Sequence, residues 1–394
     1  MIARAFIFVL IAAAGGGYCN AIAAETNAVF SWPIYHGDAA LSGVAGTALP
    51  DKLMVLWRHK VGAGVSVSPV MGGNMIFFVA ENGYLSVLTP QGKKIWSMGI
   101  EKDSVSGEAK NDRARKFVTP PLFIRDTVVT GSDDGWLCAM EATTGKTRWR
   151  YKVGQSINGT ANWVEQAGDR ACGIVVMSQW DGIVHCIDLA SGKARWTSPE
   201  VAECDGSPGV GSDFVVFGSC DMALHMLSSS KGEVLGSVAL GDEGQVAGGV
   251  AVSGGLAFAG TYNGTVACSD VRKKTIVWTN KVAKAEAFAT PAVTTDRVVA
   301  GSNDGFVYCL DRRDGKIVWS FNAGDTVLSP VVAGDKIVVS SGGTLYILKL
   351  QDGSKVWSVK AGDHISSPAV ADGKVVIGTD DGFVIMYGAA PVIK

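Results

Sequence analysis

The sequence lacks an excess of charge of either sign. Its 35 Lys and Arg side chains nearly balance 37 Asp and Glu, for a formal net charge of −2. Such a chain has no strongly basic surface for nucleic acid or an anionic membrane. The G-x-S-x-G, H-E-x-x-H, P-loop and dinucleotide-binding motifs are also missing. We therefore expect no nucleic-acid partner, and no stretch of the sequence indicates a reaction.

The eight cysteines have none of the spacings of a metal or haem site, since no Cys-Cys, C-x-x-C or C-x-x-C-H occurs. Seven remain if an amino-terminal signal is removed, and an odd number excludes a complete set of disulfides. Cys204 and Cys220 lie symmetrically about Ser212, so a three-residue turn would place them opposite each other. They are the one candidate disulfide, and the other cysteines are expected to be small buried hydrophobic residues.

Long apolar runs are confined to the amino terminus. Residues 1–23 combine Arg4 with the apolar core Ala5–Ala14 and small residues near their end, as in a secretory signal peptide. The core is shorter than the roughly 20 residues of a membrane-spanning helix. Tyr18 is too bulky for the position before an acylated cysteine, so Cys19 is not expected to carry lipid. The sequence predicts an exported protein, periplasmic or secreted, with neither a lipid anchor nor a transmembrane segment.

What the sequence has in abundance is a short repeat, clearest between Thr290 and Trp319. Tight turns at Asp304-Gly305 and Asp314-Gly315 separate short apolar segments, which is typical of an antiparallel meander. The third segment, Phe306–Asp311, is almost continuously apolar, so both faces of the sheet must be covered. Copies stacked around an axis provide that cover.

The number of copies predicts the architecture. An Asp-Gly or Asn-Gly turn, or a variant of it, occurs eight times, and Leu235 takes the one fourth-strand slot that lacks tryptophan. Neighbouring slots lie 38 to 53 residues apart, the length of a four-stranded blade. The tryptophans expected to pack between blades are Trp57, Trp96, Trp149, Trp196, Trp278, Trp319 and Trp357.

The ends of the chain should close the ring. Trp57 lies in a lone strand before the first complete blade, whereas the last copy, Ser367–Tyr387, has only three strands. We predict that these parts pair, giving an all-β, eight-bladed propeller of four-stranded antiparallel blades. Its predicted bounds are residues 53–388, after a signal peptide (1–23) and a strap (24–52) and before a short tail (389–394).

The repeat SP-x-V…V-x-x-G-x-x-D-G…G-K-x-x-W resembles the PQQ-type repeat of quinoprotein alcohol dehydrogenase-like propellers, over roughly residues 32–387. The segment Trp32–Gly43 resembles the strap before many such propellers and should pack Trp32 and Tyr35 against the ring. The resemblance implies either a quinone enzyme, with PQQ and Ca²⁺ above the central channel, or a BamB-type scaffold of outer-membrane assembly. Fold alone does not choose between them.

Residues two places before the Ser/Thr-Pro of each first strand are predicted to line the channel mouth. The candidates for ligand or partner binding there are Ser66, Phe117, Asn158, Asp205 and Phe288. Quinone enzymes of this fold use several carboxylate and amide ligands for Ca²⁺, which takes six or more oxygens. This ring offers only Asp205 and Asn158, so we expect no catalytic residue, metal or cofactor.

The longest connection between blades, 101–116, should stand over the channel mouth, as a solvated loop or as a docking loop. As a docking loop, it would contact the partner through Lys110, Arg113, Arg115 and Lys116. The sequence thus favours an exported, monomeric, non-enzymatic scaffold with a protein partner in the envelope, such as outer-membrane assembly components. Two alternatives stay open: a PQQ-dependent periplasmic dehydrogenase, and a sugar- or peptide-binding module that uses Phe117, Phe288 and Asp205.

Overall fold

The computed structural model describes residues 30–100, 116–154, 156–165, 172–242, 244–287 and 289–390. These residues form eight β-sheets arranged as the blades of a propeller, as the sequence predicts. The predicted signal peptide and the first part of the strap lie outside the described residues, as do residues 391–394 of the tail.

The strands of each blade follow one another in the chain. Two strands precede the first complete blade: β1 (Val44–Ala45) and β2 (Met54–Lys60). Blade 1 contains β3 (Val70–Gly72), β4 (Met75–Val79), β5 (Leu85–Leu88) and β6 (Lys94–Met98). Blade 2 contains β7 (Leu122–Ile124), β8 (Thr127–Gly131), β9 (Trp136–Glu141) and β10 (Thr147–Lys152). Blade 3 contains β11 (Asn162–Glu165), β12 (Cys172–Met177), β13 (Val184–Asp188) and β14 (Ala194–Thr197). Blade 4 contains β15 (Gly209–Val210), β16 (Phe214–Gly218), β17 (Ala223–Ser228) and β18 (Val234–Ala239).

The second half repeats this order. Blade 5 contains β19 (Ala251–Ser253), β20 (Leu256–Gly260), β21 (Thr265–Asp270) and β22 (Thr275–Lys281). Blade 6 contains β23 (Ala292–Val293), β24 (Arg297–Gly301), β25 (Phe306–Asp311) and β26 (Ile317–Asn322). Blade 7 contains β27 (Val331–Ala333), β28 (Lys336–Ser341), β29 (Thr344–Lys349) and β30 (Lys355–Lys360). Blade 8 contains β31 (Ala369–Ala371), β32 (Lys374–Gly378), β33 (Phe383–Gly388) and the early strand β2.

The ring is closed through the chain ends. Strand β2 pairs antiparallel with β33, and Trp57 lies opposite Met386. This confirms the predicted pairing of the two ends. The sequence did not predict β1, which pairs parallel with β27 and gives blade 7 a fifth, innermost strand.

Each of the seven predicted tryptophans lies opposite the third-strand residue that comes four places after the glycine of the turn between second and third strands. Trp319, for example, lies opposite Cys309, its indole N–H donates to Leu350 O of blade 7 at 3.0 Å, and its ring covers Gly353 there. A side chain at Gly353 would meet this ring at 2.5 Å, so glycine is required. The tryptophans therefore join neighbouring blades, as predicted.

One predicted slot was wrong by one residue. In blade 4 the position opposite the third strand is Gly236, which pairs with Met226, whereas Leu235 is 40% exposed in the bulge beside it. The side chain of Lys274 from blade 5 lies over Gly236. Lys274 itself has φ +57 at the turn where other blades have glycine. The missing tryptophan and the missing glycine thus belong to the same junction, between blades 4 and 5.

The disulfide predicted between Cys204 and Cys220 is not formed, and both are free thiols. The hairpin pairs Val210 with Val215, so the turn does not have the three residues that the prediction assumed. With that register, Glu203 O accepts a hydrogen bond from the Cys220 backbone, and Cys204 is shifted by one residue from its proposed partner. A shift of one residue turns a side chain to the other face of a sheet. Six of the seven described cysteines are buried. This was expected for the cysteines outside the candidate disulfide, whereas the burial of Cys204 was not predicted.

One surface carboxylate gives a pH-dependent prediction. Asp188 accepts hydrogen bonds from Ser191 N and from Arg195 Nη2, both at 2.8 Å, and the bond from Arg195 lowers its pKa to about 2. An unfolded Asp titrates at about 3.9, so the stabilisation is complete above that pH and is lost as the pH falls towards 2. We expect Asp188→Asn to lower the free energy of unfolding by about 1 kcal/mol at neutral pH and by progressively less below about pH 4.

Urea titrations of both proteins at several pH values measure this difference. Asp363→Asn is the control, because that side chain is 92% exposed. A difference for Asp188→Asn that did not change with pH would contradict the assigned ion pair.

Candidate functional site at the central channel

The first strands of the blades surround a central channel, and part of its wall consists of glycine residues that present backbone and no side chain. In the connections that lead into blades 3, 4 and 5, glycine occurs at Gly159, Gly206 and Gly248. A Cβ at Gly159 would lie 2.1 Å from Gly206 O, and one at Gly206 would lie 2.1 Å from Gly248 O. The blades approach each other so closely at these two positions that only glycine fits.

The strap, described from Phe30 to Lys52, closes the end of the channel that lies away from the mouth. Its hydrogen bonds reach the blades in their order around the ring. They join Trp32 to Met71 (blade 1), Pro33 to Phe123 (blade 2), Ala39 to Asn162 and Val210 (blades 3 and 4), Ala40 to Val252 (blade 5), Ser42 to Val293 (blade 6), Gly43 to Val332 (blade 7) and Thr47 to Gly373 (blade 8). The strap is therefore in contact with every blade near the axis.

The strap is fixed by burial as well as by hydrogen bonds. Trp32 is 2% exposed and its ring lies against Gly37, where φ is +97. His36 is equally buried, with Nδ1 2.7 Å from Leu41 O and Nε2 3.0 Å from Pro330 O, and burial lowers its pKa. These contacts give His36 a structural role, in keeping with the predicted packing of the strap.

Tyr35 of the strap lies at the floor of the channel. Its hydroxyl is 2.9 Å from Thr290 Oγ1 and 2.5 Å from Ser329 Oγ, in the connections that precede blades 6 and 7. Burial raises the pKa of Tyr35, so the hydroxyl stays protonated at physiological pH. The sequence indicated that Tyr35 packs against the ring, but not that its hydroxyl reaches the channel.

Near the mouth, one carboxylate is held by two amides. Asn158 Nδ2 donates to Asp205 Oδ1 at 2.9 Å, and Gln179 Nε2 donates to the same oxygen at 2.7 Å. Asn158 and Asp205 come from the connections into blades 3 and 4, and Gln179 comes from the turn between β12 and β13. The sequence predicted the first two but not Gln179, because its turn carries one residue more than that of blade 6.

The cavity between floor and mouth has a volume of about 280 Å³. Asp205 is the one charged side chain among the described residues that line it. The other polar side chains of its wall are Tyr35, Asn158, Thr160, Ser207, Asn303, Ser329 and Ser367. The described lining of this cavity is thus polar and carries a single negative charge. We call this cavity the cup.

The structure separates the predicted mouth residues. Asn158 and Asp205 line the cup and contact each other, whereas Ser66 is exposed outside it. Phe117 is 3% exposed and packs in the hydrophobic cluster of blades 1 and 2, so its predicted place on the channel surface was wrong. Phe288 lies outside the described residues.

The error at Phe117 has a simple cause. In each connection one carbonyl oxygen accepts a hydrogen bond from the following turn: Lys116 O from Asp133 N in blade 2, and Ser156 O from Gln179 N in blade 3. The first-strand threonine comes three residues later in blade 2 (Thr119) but four residues later in blade 3 (Thr160). Counting back from the threonine therefore reaches a buried residue in blade 2 and a mouth residue in blade 3.

Of the predicted docking loop, only Lys116 is described. Its Nζ donates to Glu81 O at 3.2 Å, which fixes it against blade 1. Lys110, Arg113 and Arg115 lie outside the described residues.

A larger cavity, of about 640 Å³, lies between blades 4 and 5 on the opposite face. Its two cationic residues have carboxylate partners: Arg272 lies 3.1 Å from Asp213, next to the cavity, and Lys273 lies 3.3 Å from Asp270 in its lining. These cations are thus paired with carboxylates, whereas Asp205 of the channel has amide donors and, within the described residues, no cationic partner.

The residues of the cup do not fit PQQ with Ca²⁺. PQQ is a planar polycarboxylate, and the described lining residues include no Lys or Arg to pair with its carboxylates and no Trp to stack on its rings. Ca²⁺ needs several oxygen ligands, yet the described ranges hold no group of three or more His, Cys, Asp or Glu that could bind a metal ion.

In the same ranges, no helix is long and apolar enough to cross a membrane.

These features define an eight-bladed propeller of PQQ-type repeats whose channel is closed at one end by a strap. The family model described as outer membrane protein assembly factor BamB matches residues 53–235 and 181–386, and the chain belongs to this family.

Individual relatives are distant. BamB from Burkholderia pseudomallei (strain K96243) is 28% identical over 176 residues, which cover 42% of this chain and 41% of that protein. The crystal structure of BamB from Moraxella catarrhalis matches with a TM-score of 0.68 and 20% identity, over 86% of this chain and 98% of that one. The quinohemoprotein alcohol dehydrogenase of Comamonas testosteroni matches with a TM-score of 0.73 and 12% identity, over 92% and 82%. At these identities the two structures show the fold alone.

Proposed function

We propose that this chain is an exported, non-enzymatic scaffold that binds protein components of outer-membrane assembly. Its membership of the BamB family supports the role. The poor fit of the channel to PQQ and Ca²⁺ supports a function without that cofactor.

The observation that carries the proposal is the set of large apolar side chains exposed on the channel-mouth face. They lie in, or directly beside, the turns between second and third strands of blades 1, 3, 4 and 5: Tyr84 (47% exposed), Trp180 (57%), Met222 (36%) and Tyr262 (52%). Aromatic residues and Met are enriched in protein–protein interfaces and carry much of their binding energy. The mouth face is therefore the proposed docking face.

Affinity capture from envelope extracts tests this proposal. The full-length tagged protein should co-purify outer-membrane assembly components, and Trp180→Ser with Tyr262→Ser should reduce their recovery at least about tenfold, because each aromatic anchor is worth about 2 kcal/mol. The matched control is Val277→Ser with Ile317→Ser, two exposed positions on the outer strands. Equal recovery with both double variants would contradict docking at the mouth face. Micromolar binding of PQQ with Ca²⁺ by calorimetry would contradict the non-enzymatic role.

A further inference from the structure

We propose that the cup at the channel mouth binds a positively charged side chain, arginine above all, that a protein partner inserts. This inference rests on the proposed scaffold function and names the chemistry of one contact within it. The juxtaposition that carries it is a single carboxylate, Asp205, held by two amides at the mouth of a polar cavity with no described countercharge.

The amides orient the carboxylate and leave it short of donors. Both Asn158 and Gln179 donate to Oδ1, and no hydrogen bond to Oδ2 arises within the described part of the chain. Within the described ranges, Asn158 Oδ1 accepts only from Ser156 Oγ, at 3.2 Å. One N–H of each amide is thus used internally, whereas Asp205 Oδ2 and the free lone pair of Asn158 Oδ1 remain to accept from a ligand. A guanidinium supplies several N–H donors in one plane and pairs well with a carboxylate.

The walls favour a cation as well. Burial keeps Tyr35 protonated, so the floor supplies neutral hydroxyls and no second charge. A cavity of about 280 Å³ lies at the lower limit of small-molecule pockets, about 300–1,000 Å³. It suits one long side chain better than a multi-ring cofactor.

The other charged cavity does not compete with this assignment. Arg272 and Lys273, between blades 4 and 5, already have carboxylate partners. A ligand there would have to displace an ion pair, whereas no ion pair involves Asp205 within the described part of the chain.

Titration with short peptides tests the inference. The probes are blocked Gly-Gly-Arg-Gly-Gly and the same peptide with citrulline, the neutral analogue of arginine. We expect the arginine peptide to shift the side-chain amide NMR signals of Asn158 and Gln179. It should bind about tenfold more tightly than the citrulline peptide, as expected for one charge-assisted hydrogen bond. Asp205→Asn should remove this preference, whereas Glu203→Gln, a neighbouring change of equal charge, should preserve it. Equal binding of both peptides, or loss of preference in Glu203→Gln alone, would overturn the proposal.

Two further results separate this inference from the scaffold function. Asp205→Asn should melt at the same temperature as the unmodified protein and should capture less of its envelope partner. If it captured the partner fully while the arginine peptide failed to bind, the cup would not be the contact and the scaffold role would stand. If the arginine peptide bound but no assembly component was captured by either protein, the cation site would stand and the scaffold role would fall. Tighter binding of free agmatine than of the arginine peptide would assign the cup to a small cationic metabolite instead, against the proposal.

Discussion

Replacing Trp32 by alanine should lower the free energy of unfolding by about 4 kcal/mol, as for other large aromatic residues removed from a core. Trp32 is 2% exposed, and its backbone exchanges both hydrogen bonds with Met71. Its ring also covers Gly37, whose backbone conformation would be left unsupported. Because the strap contacts all eight blades, we expect the whole propeller to unfold at a lower urea concentration in one transition.

Trp180→Ala is the matched control, since that side chain is 57% exposed. It should change stability by less than about 0.5 kcal/mol. A loss below about 1 kcal/mol for Trp32→Ala would show that the strap is not part of the folded core.

Replacing Trp57 by alanine should weaken the closure of the ring. Trp57 lies in β2, the strand that completes blade 8, and its indole N–H donates to Pro90 O of blade 1 at 2.8 Å. We expect a loss of about 3 kcal/mol. Hydrogen exchange should accelerate most in β2 and β33, because the pairing of the chain ends opens first.

Trp319→Ala removes the equivalent contact at a junction within the continuous chain, between blades 6 and 7. It should cost a similar amount of stability while leaving exchange in β2 and β33 near that of the unmodified protein. The same exchange pattern in both variants would contradict a special role of the closing strand.

The repeat made the blades predictable from the sequence. Turn glycines and fourth-strand tryptophans recur at a spacing that only a ring of four-stranded sheets satisfies, so blade number, closure and tryptophan packing followed. Three of the failures are shifts of one residue. Cys204 misses Cys220, Gly236 takes the slot assigned to Leu235, and Phe117 is buried, because turn and connection lengths vary by one residue between blades. A single shift moves a side chain to the opposite face, and the repeat pattern does not record it.

The candidate site was less predictable for a related reason. Asp205 and Asn158 came from counting along connections that proved regular in blades 3 and 4. Gln179 and Tyr35 reach the channel from a turn and from the strap, and their positions depend on how distant parts of the chain pack. Such contacts leave no local signal in the sequence.

The path of the strap also constrains how the molecule is made. The hydrogen bond between Gly373 N and Thr47 Oγ1 joins residues 326 positions apart, and β2 must wait for β33. Bringing such distant segments together is entropically costly and slow. In a nascent chain that stops before the last blade, the strap lacks its contact with blade 8 and β2 lacks its partner strand β33. The strap and β2 are synthesised early and therefore stay without these partners until synthesis is almost finished. During this delay the protein most needs protection from aggregation.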